Sequence, residues 1–202
     1  MYSVDKYSTP VALGLRAKTG RAVAVVVGGP SQSPSVFAKL EIRLVDAKNS
    51  ATYQPYHEVM ELPWEEAQKA ARKTERVIEK VAQRNVAALI GKLKAEALTV
   101  KAVGIVGAKD RDLSRIGNYH IRAHAAEGIL FRRVLDLAAE TNGLPWRAFP
   151  EREFDEILKT DLGAQADQLK VTLAQLGRSL SPPWRTDEKL AAAAAWMVLH
   201  GK

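Results

Sequence analysis

The stretch VALGLRAKTGRAVAVVV, Val11 to Val27, decides how the chain begins to fold. Val11 to Leu15 and Ala22 to Val27 are apolar runs rich in valine, joined by a short turn around Thr19-Gly20, and so predict a hairpin. A loop rich in glycine, proline and serine follows, Gly28 to Ser35. Val36 to Asp46 then alternates strictly. Val36, Ala38, Leu40, Ile42 and Leu44 face one way, while Lys39, Glu41 and Arg43 face the other. That is a half-solvated strand near a sheet edge, and the three strands together predict an antiparallel meander.

From Pro63 the apolar period changes to that of a helix. Ile78, Val81, Ala82, Leu89, Ile90, Leu93 and Ala97 form one stripe on a long helix. Val100 to Val106 is a continuous apolar run, expected of a strand buried on both faces. A second helix carries Ile116, Ala123, Leu130, Val134, Leu137 and Ala138 inward, with Ser114 as its expected N-cap and Asn142-Gly143 as its stop. Leu144 to Phe149 reads as a fifth strand, and helices are predicted over Glu151 to Leu158, Ala166 to Leu180 and Asp187 to His200. The whole chain, 1–202, reads as one domain, with 47–63 inserted between strand three and the long helix.

Composition narrows the chemistry. No cysteine is present, which excludes disulfides, thiolate zinc sites and cysteine nucleophiles. The net charge of +7 permits polyanionic partners. The opening MYSVDKYSTP lacks an apolar signal core, and Leu190 to Leu199 is too short to span a bilayer, so a cytoplasmic protein without a membrane partner is expected.

Four stretches carry a resemblance: LGLRAKTGRAVAVV (Leu13 to Val26), AHAAEGILFRRVLDLAAETNGLPW (Ala123 to Trp146), ADQLKVTLAQL (Ala166 to Leu176) and DEKLAAAAAWMVLH (Asp187 to His200). In this order they resemble the RuvC-like Holliday-junction resolvases of the ribonuclease-H-like superfamily. The resemblance implies a three-layer α/β fold with a mixed five-stranded sheet and helices on both faces. Strands one to three would be antiparallel, later strands would join by parallel crossovers, and strands one and four would pair. It also implies an active site of two divalent metals held by four carboxylates: one on strand one, one at the end of strand four, and two spaced D-x-x-D on the last helix.

The sequence departs from that pattern. Strand one offers Leu13, Gly14, Leu15 or Arg16 at the matching place, and no acid occurs from Lys6 to Leu40. None lies between Glu96 and Asp110, and on the last helix Asp187 matches the first acid while Leu190 replaces the second. Asp187 also suits a first helical turn, where an acid favours the helix dipole. Asp110, Asp112 and Asp187 are the candidates for a relocated catalytic centre, with AKDRDLS otherwise a solvated loop.

Arg16, Lys18 and Arg21 crowd the first turn, and Lys109, Arg111 and Arg115 crowd the loop after strand four. These six are the expected anion-binding or nucleic-acid-binding residues, cations standing where the resemblance places metals. Lys69, Arg72, Lys73, Arg76, Lys80 and Arg84 recur at helical spacing on the long helix, where Glu65, Glu75 and Glu79 predict a salt-bridged, solvated face. His120, His124 and Glu127, spaced i, i+4, i+7, share one side of the second helix and are the one metal-ligand candidate set. Tyr53, Tyr56 and Trp64 in the insertion are read first as rings that pin a loop, with base stacking as the alternative. The expected function is a catalytically inactive RuvC-like protein that binds nucleic acid or another polyanion without a cofactor. The alternatives are a metal-dependent nuclease or hydrolase with a relocated site, and a structural or subunit-interaction protein, with a homo-oligomer as partner.

Overall fold

In the computed structural model, which describes residues 8–201, the hairpin is β1 (Thr9–Lys18) and β2 (Arg21–Gly28), and the alternating strand is β3 (Ser35–Arg43). After an irregular stretch come the long helix α1 (Trp64–Ala95), β4 (Leu98–Gly107), α2 (Tyr119–Thr141) and β5 (Trp146–Pro150). The chain closes with α3 (Phe154–Leu162), α4 (Gln165–Leu176) and α5 (Thr186–His200).

The strands form one sheet in the order β3-β2-β1-β4-β5. β1, β2 and β3 pair antiparallel, and β4 and β5 add in parallel, β4 directly beside β1. This is the mixed five-stranded sheet that the resemblance implies. Alternation along the strands divides the side chains between two cores. Leu13, Leu15, Val26, Val103 and Ile105 meet α1 and α2 on one face. Ala12, Val25, Val27, Val106 and Phe149 meet α3, α4 and α5 on the other. β1 is therefore apolar on both faces, whereas β3, an edge strand, keeps Lys39 and Glu41 at the surface.

Several boundaries differ from expectation: β3 ends at Arg43 rather than Asp46, and α3 runs over Phe154–Leu162 behind a short 3-10 turn rather than over Glu151 to Leu158. Asn118, not Ser114, caps α2, its side chain accepting the Ile121 N–H at 2.9 Å. Ser114 instead folds back onto Asp112, and Ile116 lies in the loop before the helix. α4 stops at Leu176 rather than reaching Leu180, with Gly177 as its C-cap and the ring of Trp184 packed against that glycine. Among the described residues no helix is long and apolar enough to cross a membrane.

Candidate functional site

The carboxyl ends of β1 and β4 lie side by side, Arg16 opposite Val106 in the parallel ladder. Of the four residues that match the family's first metal ligand, Leu13 and Leu15 point into the α1/α2 core and Gly14 lies under α5. Arg16 alone brings a polar group, and it is 6% exposed. Its guanidinium pairs with Glu151, at the end of β5, and its Nε faces Asp187 of α5 at 3.5 Å. Lys18 Nζ meets the other oxygen of Asp187 at 3.1 Å. The one acid that matches the family pattern thus neutralises cations. Asp187 stands in the first turn of α5 as expected, while Glu188 accepts the Arg185 backbone N–H to close the helix start.

A second arginine stands on the opposite face. A β-carbon on Gly107 would lie 2.7 Å from Cγ of Arg132, whose guanidinium pairs with Asp136 one turn along α2 and with Asp110 at 2.6 Å. Arg133 reaches the same Asp110 oxygen at 3.1 Å. Burial pushes the Asp136 carboxyl up to about 6, with Asp110 and Glu140 adding repulsion and Arg132 opposing them. Asp112 is held below its ordinary range by hydrogen bonds from Ser114. Asp110, Asp112 and Asp187 therefore serve three separate networks and do not gather into a ligand cluster.

The loop cations are engaged in the same way. Besides Arg16 and Lys18, Arg21 pairs with Glu41 at 2.7 Å, Lys109 with Glu153 at 2.8 Å and Arg115 with Asp112 at 3.1 Å. Arg111 alone of the six has no carboxylate partner among the described residues. The expected salt-bridged face of α1 is a correction in the other direction. Lys69, Arg72, Lys73, Arg76, Lys80 and Arg84 are all exposed, and none pairs with a described carboxylate. Glu75 turns away to accept the Tyr56 hydroxyl at 2.6 Å, and Glu79 lines a cleft against α2. At about 100° per residue the six cations fall within roughly 120° of arc, over about 22 Å of helix. Cations without a carboxylate partner therefore gather along α1, whereas at the strand ends Arg111 is the only one of the six loop cations without one among the described residues.

The insertion is pinned by its rings. Tyr56 is buried and stacks on Trp64 at 5.5 Å, and Arg122 covers Trp64. Tyr53 remains half-exposed near Gly20. Burial and the Glu75 carboxylate push the Tyr56 hydroxyl far above its ordinary range. Glu127, 2% exposed, does not join His120 and His124 as a third ligand. Its Oε1 accepts the backbone N–H groups of Tyr56 and His57, each at 3.1 Å, and faces His57 Nδ1 at 2.8 Å. The residue that joins the pair on α2 is His57, which sequence reasoning passed over. The only signal for it was scarcity, since the chain has four histidines and three meet here.

No model of a known protein family and no curated protein matches the chain. Among solved structures, it is similar to Thermus thermophilus RuvC in complex with a Holliday junction substrate. The identity is 14%, over 92% of this chain and 90% of that one, with a TM-score of 0.49. A second structure of Thermus thermophilus RuvC matches at 14% identity, over 92% and 91% of the two chains, with a TM-score of 0.47.

Proposed function

We propose that the chain binds a polyanion along α1, nucleic acid being the class that its sequence resemblance favours, and does not cleave it by two-metal hydrolysis. The six exposed cations of α1, free of described carboxylate partners, carry this reading. A rigid helix that presents them along about 22 Å matches a run of backbone phosphates, and binding would release the counterions that those phosphates condense. Cleavage of the RuvC-like kind needs carboxylates at the ends of β1 and β4. Arg16 and Arg132 stand there, each already paired with acids.

The test is fluorescence anisotropy with labelled duplex, branched and single-stranded DNA and RNA at several salt concentrations, manganese present. If all six cations meet phosphates, the log–log salt slope is about −5 on duplex and about −4 on single strands. The triple variant Lys73→Glu, Arg76→Glu, Lys80→Glu lowers affinity and flattens the slope, while the labelled strands stay intact. Absence of binding at low salt overturns the proposal. Unchanged affinity in the triple variant overturns the assignment to α1.

A further inference from the structure

We infer that His57, His120 and His124 form a binding site for a divalent cation that prefers imidazole, zinc foremost, with Glu127 as the carboxylate that orients His57. The inference goes beyond polyanion binding and does not depend on it. Two segments far apart in sequence converge here: the insertion supplies His57, and the first two turns of α2 supply His120 and His124 on one helical face. One ligand atom from each ring lies within 4.8 Å of the others.

The hydrogen bonding of His57 fixes which nitrogen is available. Its Nδ1–H donates to Glu127 Oε1 at 2.8 Å, and Glu127 is held in place by the two backbone N–H groups it accepts. The Nε2 lone pair is left over. That nitrogen is buried and has no hydrogen-bond partner among the described residues. A buried polar atom without a partner is costly, and a cation satisfies it directly. The carboxylate–imidazole–metal relay is the usual way in which a protein fixes the tautomer and raises the basicity of a ligating histidine.

The remaining two rings fit the same ion. His120 Nε2 and His124 Nε2 are 3.1 Å apart. Two nitrogens bound tetrahedrally at about 2.0–2.1 Å from zinc are separated by roughly 3.3 Å. The three rings meet edge to face, with centroids 4.4 to 5.0 Å apart. Three imidazole nitrogens with no carboxylate oxygen on the ion favour zinc and its neighbours over magnesium, calcium or manganese. The fourth position falls to water. His124 lines an open cleft of about 380 Å³ with Gly107, Lys109, Arg111 and Arg152, so solvent reaches the site.

The test uses the full chain without a polyhistidine tag. Metal-free protein is titrated with zinc chloride by calorimetry and with cobalt(II) chloride by visible absorption. The expected result is one equivalent of each ion and the intense absorption of tetrahedral cobalt. His120→Ala, at an exposed position in the first turn of α2, leaves the fold intact by circular dichroism and removes the band. His57→Ala does the same. Glu127→Gln keeps the one-to-one stoichiometry and weakens zinc binding roughly 10- to 100-fold. No saturable uptake by the parent chain overturns the inference. So does a His120→Ala variant that binds zinc as tightly as the parent, because the ion then sits elsewhere.

Discussion

Gly14 and Gly104 face each other across the β1–β4 ladder, and together they leave the flat place on which α5 rests. A β-carbon on either would overlap α5: the carbonyl of Ala191 above Gly14, that of Ala194 above Gly104. Backbone cannot step aside as a side chain can, so Gly104→Ala should cost about 3 kcal/mol. Urea unfolding of the variant measures it, and a loss below about 1 kcal/mol would mean that α5 shifts freely over the sheet.

Arg16 and its acids should respond asymmetrically. Removing the guanidinium in Arg16→Met leaves Glu151, whose side chain is 48% exposed, to water, and Asp187, 29% exposed, still paired with Lys18. The expected loss is about 1 kcal/mol. Removing both acids, in Glu151→Ala with Asp187→Ala, leaves the buried Arg16 with no counter-charge, at a cost of about 3 kcal/mol or more. Equal losses in the two variants would show that Arg16 turns outward once its acids are gone.

Asp136 gives a pH dependence with a definite sign. Its carboxyl ordinarily titrates at 3.8 and in the folded chain at about 6. Between those values the folded state holds more protons than the unfolded state, so stability due to this group is complete below about pH 4 and is lost as pH rises through about 6. Asp136→Asn removes this dependence. Measured by urea unfolding at several pH values, the stability of the parent chain relative to Asp136→Asn should fall across that window. A constant difference would show that Arg132 keeps the carboxylate charged throughout.

Two exchanges between glycine and alanine should act in opposite senses from those above. Ala97, just past α1, has φ of 58° and is the one described non-glycine residue with positive φ, so Ala97→Gly should stabilise by about 1 kcal/mol. Gly91, inside α1 with nothing within 4 Å of a built β-carbon, should gain about 1 kcal/mol on Gly91→Ala. Thermal melts of both variants check this, and a lower melting temperature in either refutes its argument.

The sheet was legible because its signals are local. The runs Val11 to Leu15, Ala22 to Val27 and Val100 to Val106 declare themselves through period and branching, and the pairing of β1 with β4 is the one that the resemblance implies. Charge was far less legible. Arg16 looks like a surface cation in a loop-rich region, yet the approach of α5 and the end of β5 bury it. Glu75 looks like a partner for neighbouring lysines on α1, yet the insertion places Tyr56 over it. His57 sits 63 residues before His120, and only the hydrogen bonds to Glu127 fix where that segment lands. Each miss concerns a contact made between elements rather than along one.

The run Ala191 to Ala195 looks like the least informative part of the chain, five identical small residues in a row. All five are buried, and two of them present backbone to glycines of the sheet. A saturation-mutagenesis map would therefore invert the impression left by composition. The lysine- and arginine-rich face of α1 should accept almost any residue without loss of folding, and the monotonous alanines should accept almost none. For an engineer, the colourful segment can be altered without unfolding the chain, although the polyanion binding proposed for it would be lost, and the plain one is the place to leave alone.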